Sequence, residues 1–592
     1  MEPLSEYQYF PLQHPNSIRL LSLHPAEEQS PIHISLSEVR LQDAGSYEAL
    51  SYSWATEDGD CERSSQIICS GASIYITKNC EAALRRLRDL NSERTLWVDA
   101  ICINQGNDGE RGHQVGIMRD IYSHATQTLI WLGEASKGRN KETNLPVSTV
   151  FLEFLGQMAS EIRDLKDTNK DPTSSAQYQK FLHQIDVGSK DPSPTSFSLR
   201  RGLWSIARRR WWKRLWVVQE VALAKSATLI CGPQTANYAD FHAFYDLIES
   251  RHDPRCYKAL SSFDNDHHLY AVFFAKRITS HSDNYLSVLN LLLSVRELQA
   301  SNPLDRVFEI LGLSDHCKAT LPSPDYSQSS SQLFTEVTTR FLKLSKSLYI
   351  LFLAASIDNS MDQCPSWVVD WSKPRMMAVW NIDKVFGADR KSESTFAISE
   401  DQKELYVKGV KVDYVERISL AALEAYSYSP APVEKRVLGW QASCNTASLL
   451  KACPTAENVQ EALWRTLCWN YDPRGHNPAS IKTSQQFEDW HRTLINDQAH
   501  NHARPALGNL LFSRLVNNTT PVCVTSKGFL AAVPWTAEAG DCISVLAGGY
   551  LPFVLRPMGD YYRLVGPCYV HGIMNGETWP EDENDLESFS IR

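Results

Sequence analysis

The sequence predicts an α/β fold in its first third, a mainly helical middle and a small β domain at the end. Three observations support this. Strand and helix patterns alternate between residues 47 and 133, apolar residues from 236 to about 345 fall at helical spacing, and residues 521–577 break into short strands at regular turn intervals. At 592 residues the chain is too long for one core, so two to four units of ordinary size are expected.

Residues 18–54 alternate apolar and polar positions in IRLLSLHP, IHISLSEVRL and YEALSYSWA, the pattern of extended strands, and residues 1–46 are expected as an N-terminal β extension. SQIICSGASIYIT (65–77) predicts a hairpin around Ser70-Gly71. KNCEAALRRLRDL (78–90) then sets Cys80, Ala83, Leu84, Leu87 and Leu90 at helical spacing, with the arginines opposite. TLWVDAICI (95–103) is too short and too β-branched for a helix and is expected as a buried strand. Asn107 with Glu110 three residues on is a capping box opening a helix whose inner face is Val115, Met118, Ile121 and Tyr122. TQTLIWLG (126–133) is the next strand.

Parallel strands need a crossover between them, so this order predicts a parallel sheet with covering helices over residues 47–235. A helical excursion at about 134–207, with a Pro/Ser-rich loop at 189–198, interrupts it. RRRWWKRLWVVQEV (208–221) is expected as one amphipathic helix and ATLICG (227–232) as a further strand. Residues 236–515 are expected to be mainly helical, and 516–592 to form a small β-barrel or sandwich.

Composition excludes several classes. With 43% hydrophobic and 22% charged residues and a net charge of −10, the chain is expected to be globular and not to coat nucleic acid or an anionic membrane. The start lacks a basic, then apolar, secretory pattern, and no apolar run approaches the roughly 18–20 residues of a membrane span. The 14 cysteines include no CxxC pair, so a cytoplasmic protein with reduced thiols is expected, and the sequons at Asn517 and Asn518 carry no weight. His267 and His268 beside Asp264 and Asp266, and His500 with His502, are expected as polar loops, with no metal site. Neither a P-loop nor a repeat pattern is present.

In open parallel sheets ligands bind beyond the carboxyl ends of the strands. Those ends carry Ser53 and Trp54, then Asp99, Asn104 and Gln105, then Gly133 and Glu134. Glu220 stands alone as an acid in an apolar run, with Trp216 four residues before it and therefore on the same helical face. Its plain reading is a surface acid paired with Arg214 or Lys213; its functional reading is a carboxylate of altered pKa in a crevice. Seven Lys or Arg among residues 200–214, interleaved with Trp204, Trp211 and Trp212, suit either a nucleic-acid patch or a solvated face whose arginine stems cover tryptophan. The acidic chain favours the second.

YEALSYSWA (47–55), LWVDAICINQ (96–105) and RRWWKRLWVVQEV (209–221) resemble the three blocks of the fungal heterokaryon incompatibility (HET) domain family. NPLDRVFEILGLSD (302–315), PDYS (324–327), PSWVVDWS (365–372) and the closing LPFVLR and YRLVGPCYVHGIMNGE segments resemble those of full-length members. Ala55 departs from the glycine frequent there. The family is regarded as a distant relative of TIR domains, which implies a TIR-like sheet. The Ser51-Tyr52 pair is similar to one on the first TIR strand, and the Trp216–Glu220 interval resembles a TIR block whose glutamate is catalytic in members that cleave NAD.

The resemblance implies a self/non-self recognition and programmed cell death effector with Glu220 as catalytic carboxylate. Ser53, Trp54, Asp99, Asn104, Gln105, Trp216 and Arg214 would line the site. NAD would be a substrate, with no cofactor. Cleaving its nicotinamide–ribose bond needs a carboxylate to hold hydroxyls and stabilise a cation-like ribosyl transition state, and cations for the pyrophosphate. Self-association through the HET domain, and an incompatibility partner protein, are implied too. The alternative is a non-catalytic module that transmits a death signal by self-association; a nucleic-acid-binding regulator is a third reading.

Overall fold

A computed structural model describes residues 4–185, 194–250, 268–269, 271–275, 285–354, 364–373, 385–419, 442–455, 458–470 and 521–592. The chain forms two compact units, residues 1–318 and 319–592.

The first unit is built on a nine-stranded mixed sheet. Its strands are β1 (Ser17–Leu23), β2 (His33–Arg40), β3 (Glu48–Tyr52), β4 (Ser65–Cys69), β5 (Ala72–Ile76), β6 (Arg94–Trp97), β7 (Gln127–Trp131), β8 (Ala227–Cys231) and β9 (Gln234–Asn237), in the spatial order β5-β4-β2-β1-β6-β3-β7-β8-β9. The four strands β6, β3, β7 and β8 run parallel, as the alternation of patterns predicts. β1 pairs antiparallel with both β2 and β6, so the segment expected as an extension lies inside the sheet. Six of its seven residues are buried, Ile18, Leu20, Leu21 and Leu23 among them, and a strand buried on both faces needs neighbours on both sides.

Thr77 caps the Lys78–Leu87 helix by accepting from the Cys80 N–H, and Cys80, Ala83, Leu84 and Leu87 are buried as their spacing requires; Leu90 lies beyond the helix and is 66% exposed. β6 ends at Trp97, three residues into the run expected as one strand, because the Asp99 carboxylate accepts from the Ala100 N–H and opens a helical turn, Asp99–Cys102. Asn107 does cap the Asp108–Gly116 helix. Glu110 does not reach back to it, because its carboxylate takes Arg19 of β1 and the Asn104 N–H instead.

The 208–221 segment is not one helix. A short 3-10 turn at Arg210–Lys213 gives way to an extended Arg214 (φ −78°, ψ 135°) before the Val217–Ala222 helix. The break has a long-range cause: the Gln299 N–H donates to the Lys213 carbonyl at 2.6 Å and the Leu215 N–H to the Gln299 carbonyl at 3.0 Å.

In the second unit β10 (Phe396–Ile398) and the 14-residue β11 (Leu405–Ile418) fall within the stretch expected to be mainly helical. They join β12 (Val522–Thr525), β13 (Leu530–Ala532), β14 (Cys542–Leu546), β15 (Phe553–Pro557), β16 (Tyr562–Pro567), β17 (Tyr569–Val570) and β18 (Glu587–Ile591). Because β11 pairs with both β18 and β14, the strands β11, β14, β15, β16 and β18 close into a ring, a small barrel that leaves none of the five an open edge there. Gly409 is required at the crossing, since a Cβ would stand 2.5 Å from the Val545 carbonyl oxygen.

The excursion consists of the helices Val147–Asp167, Ala176–Ile185 and Pro194–Ala207. A Cβ on Gly202 would lie 2.3 Å from the Val147 carbonyl oxygen and 2.6 Å from the Phe151 Cβ. Helix propensity alone makes Gly202→Ala stabilising by roughly 0.5–1 kcal/mol, whereas forced contact in packed surroundings costs about 1–3 kcal/mol. We expect the clash to win and the urea midpoint to fall; a midpoint that rises shows that the two helices do not pack so closely.

Candidate functional site

A buried polar cluster sits where β3 ends. Glu220, in the Val217–Ala222 helix, is 1% exposed and accepts a hydrogen bond from the Ser51 hydroxyl on β3. Ser51 Oγ in turn accepts from Trp211 Nε1 at 2.7 Å. The Arg214 guanidinium donates through Nη1 to the Tyr52 carbonyl and places Nη2 3.6 Å from Glu220 Oε1. The extended backbone at Arg214 thus lets one side chain reach both the strand end and the acid. Asp99 accepts from Trp54 Nε1 at 2.8 Å, and its backbone carbonyl accepts from Gln105 Nε2 at 2.9 Å.

Burial is the main force on these acids. It raises the pKa of Glu220, against the pull of Arg214 and the Ser51 hydrogen bond, and the Asp99 charge adds to the rise. Asp99 is raised for the same first reason, opposed by Arg214 and the Trp54 hydrogen bond. Both carboxylates draw on one guanidinium.

Of the residues predicted from the sequence, the fold gathers Glu220, Arg214, Asp99 and Trp54, with Gln105 behind Asp99. Trp54 also lies under Arg63, whose guanidinium is 5.4 Å from its ring. Trp216 reaches Glu220 through its backbone carbonyl, at 3.3 Å from the Glu220 nitrogen, and its side chain packs on the core. Ser53 and Asn104 stand in neighbouring turns: the Ser53 carbonyl accepts from Asn79, and Asn104 Oδ1 accepts from the Gly106 N–H beside the Arg19–Glu110 ion pair. Sequence reasoning overlooked Ser51, Trp211 and Glu309 as site residues. The available signals were a serine inside a buried strand and, in DRVFEILGL, a second acid alone in an apolar run.

The basic stretch is largely engaged by the protein. Arg209 donates to the carbonyls of Ser205 and Glu134, Arg210 to Glu57, and Arg208 and Arg200 lie 4.3 and 5.8 Å from the Trp204 ring centre. Among the described residues no group of three or more His, Cys, Asp or Glu could hold a metal ion; His267, His500 and His502 lie outside them. No helix among the described residues is long and apolar enough to cross a membrane.

The cluster is closed over Glu220, while the Arg214 side chain retains 21% exposure and Trp54, Asp99 and Gln105 are half-buried. Removing one partner of a buried pair leaves an uncompensated charge, so Arg214→Met is expected to cost about 3–5 kcal/mol of unfolding free energy at pH 7. Without the guanidinium, Glu220 binds a proton more readily, so the loss should shrink at pH 5. Urea unfolding at both pH values checks this; an equal loss at both locates the damage elsewhere.

Residues 47–220 match the family model of the heterokaryon incompatibility protein (HET) domain, and residues 480–589 that of the Het-6 beta-barrel domain. Across 99% of its length the chain is 24% identical to heterokaryon incompatibility protein 6, OR allele, of Neurospora crassa, covering 98% of that protein. No solved structure matches. The blocks that carry the buried cluster, 47–55, 96–105 and 209–220, all fall within the matched HET region, and the chain carries a HET domain together with a Het-6 beta-barrel domain.

Proposed function

We propose that this protein is a cytoplasmic effector of fungal self/non-self recognition, setting off cell death when genetically different cells fuse, and that it acts by assembly of its HET domain. The similarity over 99% of the chain to an incompatibility protein supports the biological role. The observation that carries the mode of action is the burial of Glu220. At 1% exposure, held by Ser51 and flanked by Arg214, its carboxylate is inaccessible to a sugar and serves the fold in this conformation.

A second reading, NAD hydrolysis in the manner of TIR relatives, is favoured by one feature. Half-buried Asp99, Trp54 and Arg214 adjoin Glu220 at the carboxyl edge of the parallel strands, where α/β folds place ligands, and together offer a carboxylate, an indole and a guanidinium. That reading requires the cluster to open.

Glu220→Gln separates the two, because the amide oxygen can still accept from the Ser51 hydroxyl while the charge is gone. The assembly reading expects a folded variant that self-associates and kills like the parent, with cellular NAD unchanged in both. NAD depletion by the parent, with killing and NAD depletion both lost in a variant whose melting temperature and association match the parent, supports the enzymatic reading instead.

A further inference from the structure

The Asp305–Leu311 helix packs on the short helix that carries Glu220, and Gln219 donates its side-chain amide to the Glu309 backbone carbonyl. Glu309 is fully buried, and neither of its carboxylate oxygens has a hydrogen-bond partner. The charges acting on it are Glu220 across the helix contact and Asp305 on its own helix, both negative, with Arg214 in partial compensation. Tyr122, from the Met118–His124 helix, faces the same acids. Tyr285–Val295, which also packs on this helix, has no charged side chain, and Arg306 beside Asp305 donates to the carbonyls of Val295 and Arg296. An ionised carboxylate with no hydrogen bond and a like charge nearby is among the least favourable groups to bury, so the packed arrangement is compatible with Glu309 only as the neutral acid.

We propose that the Asp305–Leu311 helix is a proton-held latch over Glu220: it closes while Glu309 carries a proton and swings away when that proton is lost, baring Glu220 and Arg214. The inference rests on the closed cluster described under the proposed function and names what opens it. The sign follows from linkage. Burial first, then Glu220 and Asp305, raise the Glu309 pKa well above its ordinary value when the latch is closed. Closure is therefore fully favoured below the ordinary glutamic acid range and is lost as pH rises toward the closed-state pKa.

Hydrogen exchange of the full-length protein between pH 5.5 and 8.5, corrected for intrinsic exchange rates, tests the latch. In the parent, protection of residues 217–222 and 305–311 should fall about tenfold or more across this range relative to β3 and β7, a shift of one decade in the opening constant. Glu309→Gln, which cannot ionise, should make protection flat with pH. A flat parent profile, or the same slope in the variant, overturns the latch. Should Glu309→Gln fail to fold, Glu220→Gln removes the opposing charge, brings the closed-state pKa of Glu309 back toward its ordinary value and should shrink the loss of protection across this range; an unchanged loss overturns the latch equally. Killing and self-association of the parent are scored separately, so a pH-insensitive latch in a protein that still assembles and kills defeats this inference and leaves the assembly reading standing.

Discussion

One guanidinium shared among buried carboxylates is the constraint on which the first unit depends. Arg214 lies within reach of Glu220, and its charge also bears on Asp99 and Glu309. Neutralising three acids with one cation is impossible, so neutral donors contribute: the Ser51 hydroxyl, the Trp54 indole and the Ala100 amide each bind a carboxylate oxygen. The local backbone follows from this. The chain leaves helical geometry at Arg214, and Trp211, in the preceding turn, orients Ser51 by donating to it. Asp99 ends β6 early, which fixes where the Gln105 loop begins.

A second buried pair ties the first strand to the same region. Arg19 on β1 forms two hydrogen bonds to Glu110 and one to the Cys102 carbonyl, while Glu110 also accepts from the Asn104 N–H. Cys102 and Asn104 flank the turn that follows Asp99, so β1 supports the site although it lies two strands from β3. This explains why residues 17–23 belong inside the sheet. The basic run behaves alike: Arg209 donates to the Ser205 carbonyl in the last turn of the Pro194–Ala207 helix and to the Glu134 carbonyl in the loop after β7.

What the sequence disclosed and what it concealed divide by range. The Lys78–Leu87 helix and the Asn107 cap were readable because each depends on residues within four positions. The strands β3, β7 and β8 were readable as apolar runs bounded by polar turns. The break at Arg214 was not, since its cause, Gln299, is 85 residues away in the chain and carries no local mark. β11 could have been found, for LYVKGVKVDYVERI alternates with period two through much of its length, but its helical neighbours outweighed it. At the site, Glu220 stood out by being a lone acid among apolar residues. The same signal at Glu309 went unused because the resemblance of 302–315 gave that residue no role, and proximity of two such acids cannot be read from either alone.

The pairing of Glu220 with Glu309 gives a physical reason why the proposed latch can be closed and yet poised. A cluster that fully satisfied its charges would hold the two helices together too firmly to open, whereas an orphaned acid lowers the cost of parting them. When the closed and open arrangements differ by a few kcal/mol, the minor one is populated at about 0.1–10%. If the proposed assembly bound the open arrangement preferentially, it would draw molecules into it in proportion to its differential affinity, adding to the effect of proton loss. On the proposed assembly reading, burial of Glu220 and activation by association would be two aspects of one equilibrium: the imbalance that requires Glu309 to hold a proton is also what would make the closed state reversible.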